Sequence, residues 1–333
     1  MTAVATWSAP ELSVVLVTDS FATIRKTLRC FQAQGDPARL EIVIAALAGA
    51  RLAPDAPEAQ GFPHLRIVPV DTAIDLARAE ALAWRAATAP FVVFAESCAY
   101  PRPGFVDAII GACRSETWAV VGPSMANANP DSATSWAAMW INNTPWLHAD
   151  QRDPAALLPG HNSAYARPAL LSLGNEADDL MRSLSALQNE LRARGHQFFL
   201  EPAACAELLN VSRPTWYLID QFGKGRQFAT LRCRRWSIAR RLLYAAATPL
   251  IPVVRLARIL AALHRRGRVR EVWQGLRLAG LVAGLTMSTA GEFVGYLFGG
   301  PAPPGFFERN LHRPQYVRPE DRRCDADEST WPG

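Results

Sequence analysis

The stretch Phe91-Val92-Val93-Phe94-Ala95-Glu96-Ser97-Cys98-Ala99-Tyr100-Pro101 decides how the rest of the chain is read. Four apolar residues run into a carboxylate, and turn chemistry follows through Pro101, Arg102, Pro103 and Gly104. A short apolar run with turn signals behind it predicts a fully buried strand. In open α/β sheets, ligands bind beyond the carboxyl ends of strands. Glu96 falls where such a strand ends. It is therefore either a solvated loop residue or a ligand-binding carboxylate, and the flanking elements must decide.

Upstream, Leu12–Thr18 is a strand by its β-branched content and length, and Asp19-Ser20 supplies N-cap chemistry for a helix through about Gln34. Ile24, Leu28 and Phe31 lie at helical spacing, and Gly35-Asp36-Pro37 ends that helix. Leu40–Ala45 and Leu65–Val70 are further strands. Ala73–Ala87 is a helix with Ile74, Leu76, Leu82 and Trp84 among its apolar positions. Downstream, Phe105–Arg114 is a helix and Trp118–Pro123 a strand and turn. An irregular stretch rich in Trp and Asn follows, with Asn127, Asn129, Trp136, Trp140, Asn142, Asn143 and Trp146. Amides and indoles suit sugar hydroxyls and faces, and they suit ordinary packing equally well. Leu158–Arg167 is a Gly-led polar turn with a helix starting at Pro168. Asp178–Arg194 is an amphipathic helix closed by Gly195, and Phe198–Leu200 a short strand. This rhythm predicts a mostly parallel sheet with helices on both faces. Neither G-x-G-x-x-G nor a Walker motif supports a dinucleotide or P-loop reading.

The chain has 333 residues, half of them hydrophobic, enough for one large core with an appendage or for two domains. Six scattered cysteines without C-x-x-C suggest reduced thiols, and Met1–Pro10 has no signal-peptide pattern, so a cytoplasmic protein is expected. The net charge of +5 hides an asymmetry: residues 221–270 carry thirteen Lys or Arg and no Asp or Glu, leaving 5 − 13 = −8 for the rest. Such a segment calls for an anionic partner. Its basic residues alternate with Leu, Ile and Val, and Trp236 and Tyr244 lie among them. That pattern favours a helix on an anionic membrane surface and argues against nucleic acid. Leu278–Gly291 is apolar, but its 14 residues before Glu292 fall short of the roughly 20 needed to span a bilayer. A re-entrant, interfacial or packed segment is expected there. Three regions result: residues 1–212, a basic and apolar helical region over 213–300, and a flexible tail over 301–333.

Taken together, four motifs in order resemble the family 2 glycosyltransferases, nucleotide-diphospho-sugar transferases of the GT-A fold. The resemblance spans roughly Leu12 to Ser212. Ser13–Thr18 looks like the family's opening strand, which cradles the nucleotide base. Phe94–Cys98 lies where the family carries its D-x-D-type metal and diphosphate motif. Leu158–Tyr165 resembles the loop lining donor sugar and acceptor. Glu190–His196 followed by Glu201-Pro202-Ala203 looks like the family's R-x-x-G…P-x-A segment. The resemblance implies a nucleotide-sugar donor contacted by Val17, Thr18, Asp19, Glu96, Ser97 and Asn162, with Glu96 as ligand of a divalent cation, Mg²⁺ or Mn²⁺. It also implies a glycan or lipid-linked acceptor at the cytoplasmic membrane face.

Departures from the pattern are specific. Ala45 and Ala46 stand where the family places an Asp for the base, and Glu96 is the only carboxylate of the metal motif. Counting back about a dozen residues from Gly195 to the family's acidic base reaches Ser183 and Leu184, neither a base at neutral pH. Glu176, Asp178 and Asp179 lie a few residues earlier and could take that role after a register shift. Asp178 and Asp179 are equally explained as helix N-terminal charges. His161 could act as base or hydroxyl-positioning group. Two readings follow: a transferase, or a transferase-like binding protein that has lost metal site and base.

Overall fold

In the computed structural model, residues 9–50, 52, 56–71, 76–149, 153–154, 157–234, 236–300 and 310–321 are described. Ile74, Arg235, Cys324 and the tail segments 301–309 and 322–333 lie outside the described residues. The chain forms two units, Met1–Ala126 with His148–Glu207, and Asn127–Leu147 with Leu208–Gly333.

The first unit is built on a sheet. β1 (Leu12–Thr18) is buried at every residue, as a strand flanked by strands and covered on both faces must be. It pairs in parallel with β2 (Leu40–Ala46) and with β4 (Phe91–Phe94), and β2 pairs in parallel with β3 (His64–Pro69). Helix α1 (Phe21–Gln32) starts on Ser20, whose hydroxyl accepts from the Ala22 N–H at 3.1 Å. Helix α2 (Leu76–Ala86) precedes β4, while β5 (Ala99–Pro101) and α3 (Phe105–Ser115) follow it. β6 (Val120–Asn127), β7 (Asp153–Pro154), β8 (Ala164–Ala166) and β9 (Phe198–Leu208) complete a sheet ordered β3-β2-β1-β4-β8-β6-β9-β5, with β7 paired to β9.

The expected mostly parallel sheet is interrupted by an antiparallel strand, β8. β8 runs antiparallel to both β4 and β6, and β7 antiparallel to β9, so the sheet is mixed; β3-β2-β1-β4 pair in parallel, and β6 and β9 run in the same direction, with Ala119 N–H bonded to Gln197 O and Ala128 N–H to Leu208 O. Three-residue β8 is too short to show the period-2 pattern that announces a strand. Helices α5 (Arg167–Ser172), α6 (Glu176–Leu180) and α7 (Leu184–Ala193) follow β8. The single helix expected over Asp178–Arg194 is thus two helices. Ser183 separates them because its hydroxyl accepts from Ala186 N–H and caps α7, offering the backbone an alternative to continued helix.

A helical bundle makes the second unit: α4 (Ala133–Asn143), α8 (Pro214–Arg232), α9 (Ile238–Ala247), α10 (Ile251–Arg265) and α11 (Arg277–Phe298). α11 touches the other four helices. Its approach to α8 is backbone against backbone. A Cβ on Gly225 would lie 1.8 Å from Ser288 O, and one on Gly291 2.0 Å from Phe222 O, so only glycine fits. α11 is continuous through Glu292, which pairs with Arg255 at 3.2 Å, and the expected apolar segment over Leu278–Gly291 is packed within it against α8 and α4.

Within this unit the Trp- and Asn-rich stretch is used for packing. Trp136 and Trp140 are buried with ring centroids 5.5 Å apart. Asn129 donates to Asn210 O at 2.8 Å and accepts from the Ser135 hydroxyl at 2.7 Å. Residues 127–147 belong with the C-terminal helices and not with the sheet, which departs from the boundary expected at 212. The tail reading is also revised over 310–321. Arg313–Tyr316 and Pro319–Asp321 form 3₁₀ turns, Val317 is fully buried, and Tyr316 packs edge-on against Trp216 at 5.0 Å. Two apolar anchors suffice to dock a stretch whose composition reads as solvated.

Candidate active site

Strand geometry sets the floor of the site. β1 ends at Thr18, in register with Ala46 of β2, and Val15 pairs with Phe94 at the end of β4. Ala95 N–H still bonds to Val15 O at 2.9 Å, so Glu96 emerges just beyond the carboxyl end of β4, level with the last residues of β1, where ligands of such sheets bind. The Thr18 hydroxyl donates to Ser20 O at 2.8 Å and accepts from Ser20 N–H. Asp19 accepts from the Thr23 hydroxyl at 3.3 Å. Both side chains shape the turn into α1. Ser97 is buried, and its carbonyl accepts from the Thr27 hydroxyl at 3.0 Å.

The loop before β8 closes over this edge. Asn162 N–H bonds to Phe94 O at 2.7 Å. Asn162 itself holds φ +65°, a left-handed conformation that Asn tolerates better than most residues. Its amide is locked reciprocally to Glu96. Nδ2 donates to Glu96 Oε2 at 3.0 Å, and Glu96 N–H reaches Asn162 Oδ1 at 3.4 Å. Beside it His161 Nε2 lies 2.9 Å from Glu80 Oε1, and Glu80 is buried on α2. Burial works against a charged imidazole here, but the Glu80 carboxylate, with Glu96 adding, outweighs it and raises the pKa to about 9. The raised pKa favours the imidazolium, which donates to Glu80, over the free base in this locality.

Gln188 of α7 holds the loop from behind. Its Oε1 accepts from Leu158 N–H at 3.1 Å, and its amide donates to Pro159 O at 3.2 Å and to the Tyr165 hydroxyl at 3.0 Å. The Tyr165 hydroxyl donates to Gly160 O at 2.7 Å, and burial holds its pKa above the usual range.

The structure joins Glu96, Ser97, Asn162 and His161 into one locality with Glu80. It does not bring Glu176, Asp178 and Asp179 there. Asp178 is bound by Arg78 and, at 2.8 Å, by Arg85. Those arginines are seven residues apart and share one face of α2, while Glu80, two residues from Arg78, points to the far side. Glu176 pairs with Arg194 at 2.9 Å, and Asp179 is 86% exposed. Glu80 and Gln188 escaped the sequence reading, yet each sits on an apolar stripe, Glu80 four residues before buried Trp84 and Gln188 among Leu184, Leu187 and Leu191. A polar group on a buried stripe needs a partner, and that was the available signal.

As a metal site the arrangement is meagre. Among the described residues no three His, Cys, Asp or Glu side chains gather around a common point. Glu96 brings one carboxylate, already half engaged by Asn162, and a cationic imidazole stands on the same side. A divalent ion favours several oxygen ligands, so the protein's own donor set does not fit one.

No family model matches the chain, and no curated protein matches it. Among solved structures, the chain is similar to a mannosyltransferase, PcManGT from Pyrobaculum calidifontis in complex with GDP-Man and Mn²⁺. The TM-score is 0.54 at 17% sequence identity, over 86% of this chain and 87% of that one. The likeness is one of fold: a mixed α/β sheet flanked by helices, compatible with a glycosyltransferase fold.

Proposed function

We propose that the protein transfers a sugar from a nucleotide-sugar donor to an acceptor. The observation that supports this most directly is the placement of Glu96, Asn162 and His161 at the carboxyl ends of β1 and β4, on a fold similar to that of a GDP-Man-binding transferase. In this reading the donor's nucleotide lies over the Val17–Asp19 end of β1. Its diphosphate lies near Glu96 and the imidazolium of His161. A cation and N–H donor at that point offsets the charge that develops on a leaving diphosphate. Where a divalent ion takes part, the donor's phosphates must supply most of its ligands, and Glu96 the only protein carboxylate. The acceptor is a glycan or a lipid-linked glycan, and the protein acts at the cytoplasmic face of a membrane.

Calorimetric titration with a panel of nucleotide-sugars, GDP-mannose among them, with Mn²⁺ or with chelator, tests this. Binding of one donor is expected, weakened by Glu96→Gln by about 1–3 kcal/mol, the scale of a lost charged hydrogen-bonding partner. Ser97→Ala should change little, since the Thr27 contact goes to the Ser97 carbonyl. A second reading, a sugar-nucleotide-binding protein without turnover, is favoured by Ala45 and Ala46 and by the lack, among the described residues, of a second acidic side chain gathered with Glu96 into a metal site. It predicts donor binding without product.

A further inference from the structure

α9 and α10 are apolar on two faces. Inward they bury Ala245, Ile259 and Leu263, with Tyr244 packed against the cluster of Ala229, Cys233, Ala245 and Tyr296, and a few polar contacts to α11 lie beside these. Arg241 donates to the carbonyls of Tyr296 and Leu297 at 2.8 and 3.0 Å. Thr248 is buried. Arg255 reaches the Ser288 hydroxyl at 3.0 Å and Glu292 at 3.2 Å. Toward the outside they present Ile238, Leu242, Leu243, Leu250, Val253 and Val254, with Leu243, Leu250 and Val253 each about two-thirds exposed (66%, 67% and 67%). These positions recur at helical spacing and form one stripe. A water-facing helix pair keeps its outer face polar, and a contiguous exposed apolar patch of this kind marks an interaction surface.

We propose that this outer face of α9 and α10 is a membrane-docking surface that lies in the plane of an anionic leaflet, its apolar stripe among the acyl chains. The proposal rests on the membrane reading given above and not on sugar transfer. Charge complementarity favours a lipid surface over a second copy of the chain. Among the described residues, Arg234, Arg258 and Arg265 have no acidic partner, and they lie before and after the stripe. At its start Arg240 and Arg232 stack on Trp236 at 4.2 and 5.3 Å from the ring centroid, the aromatic and guanidinium combination suited to headgroup level. The charge count of residues 221–270 is not what drives docking. Lys224, Arg241, Arg255, Arg266 and Arg268 are held within the unit by Asp220, by backbone carbonyls, or by Glu292 and Glu271. Apolar burial carries the affinity, and the free arginines add selectivity for anionic lipid.

Both Ile238–Arg265 and Arg277–Phe298 are long and apolar enough to cross a bilayer by length and composition alone. An in-plane placement is preferred for the first because α9 and α10 are broken by a 3₁₀ turn at Thr248–Leu250. The stretch also carries Arg240, Arg241, Arg255 and Arg258, each disfavoured at a bilayer centre on the order of a hundredfold. For α11 the reason is that α4 and α8 already cover it.

The test is flotation of the full chain with phosphatidylcholine vesicles, with and without phosphatidylglycerol. The comparison is between wild type, Leu243→Gln/Leu250→Gln/Val253→Gln, and Arg234→Gln/Arg258→Gln. All these side chains are exposed, so circular dichroism and melting should match wild type. Wild type is expected to float with anionic vesicles. The apolar-face variant should lose at least about tenfold in apparent affinity, and the arginine variant should lose mainly the preference for phosphatidylglycerol. Carbonate at high pH should strip wild type from the vesicles. Failure of wild type to float overturns the membrane reading itself. Equal flotation of wild type and the apolar-face variant overturns this face while leaving that reading in place. Resistance to carbonate overturns the in-plane placement. A wild-type dimer that the apolar-face variant dissociates, without flotation of either, assigns the face to a second copy and overturns the proposal.

Discussion

A single backbone conformation organises the site at the scale of residues. With Asn162 at φ +65°, consecutive side chains His161 and Asn162 reach Glu80 and Glu96 respectively. The two carboxylates come from different elements, α2 and the end of β4, so the loop ties them together. The raised pKa of His161 makes this tie pH-dependent. The group is titrated near 6.5 when unfolded and at about 9 when folded. Its contribution is therefore fully present below the unfolded value and is lost as pH rises toward 9. The charged groups facing it are Glu80 of α2 and Glu96 after β4. Wild type is expected to lose melting temperature between pH 6.5 and 9, and His161→Gln to flatten the profile in that window. A wild-type profile that is flat or rising there contradicts the assignment of a cationic His161. Glu96, Asn162 and His161 were legible because they stand in polar turns next to apolar strands. Glu80 was not, because a carboxylate inside an Ala-rich helix looks like a solvated face until its register against Trp84 is counted.

Among elements, the parallel strands and the helices next to them follow from local signals. β1, α1 with its Ser20 cap, β2 and α3 stand close to where β-branched runs and caps put them. Elements whose identity depends on distant partners did not show. β8 is a strand only because β4 and β6 lie on either side. α4 has no apolar period of its own strong enough to stand out, and α7 begins at a Ser that reads as mid-helix. The α8–α11 contact provides an element-scale test because two local rules disagree about it. Helix propensity alone says Gly291→Ala stabilises, by roughly 1 kcal/mol. Packing says the opposite, since the added Cβ would sit 2.0 Å from Phe222 O and 2.8 Å from Arg226 N. Backbone atoms cannot swing aside as side chains do, so the helices must part. Overpacking typically costs about 1–3 kcal/mol and outweighs the propensity gain. Urea unfolding of the full chain should therefore show a lower midpoint for Gly291→Ala. A raised midpoint would mean the two helices are not in backbone contact.

Whole-molecule organisation departs furthest from what sequence order suggests. Read linearly, the chain is a transferase-like domain ending near Ser212, then a basic helical region. In the folded protein the chain passes between the two units three times, after Ala126, Leu147 and Glu207. Helix α4 is the insertion that causes this. Its partners are helices far along the sequence, a separation no local pattern encodes. Trp136 and Trp140 are buried in the second unit. Ile141 Cδ1 lies 2.8 Å from where a Cβ on Gly284 would be, and Ala137 Cβ lies 3.4 Å from the equivalent point on Gly280. The two readings of domain structure therefore predict different behaviour for a chain truncated after Ser212. If the first 212 residues formed a self-contained domain, the truncated chain would stay monomeric and melt cooperatively. The observed packing predicts otherwise. Removal of residues 213–333 strips α4 of its cover over Ala137 and Ile141 and takes Arg268 and Arg277 from the Trp136 ring, in a unit whose buried indoles each hold on the order of 150–250 Å². At about 25 cal/mol per Å², the lost burial is several kcal/mol, comparable with the net stability of a whole domain. The truncated chain is expected to bind a hydrophobic dye, to self-associate and to lose its cooperative transition. Supplying residues 213–333 as a separate chain during expression should restore solubility, because it returns α8 and α11 to α4. A monomeric, cooperatively melting 1–212 fragment would show instead that α4 needs no cover from the C-terminal helices.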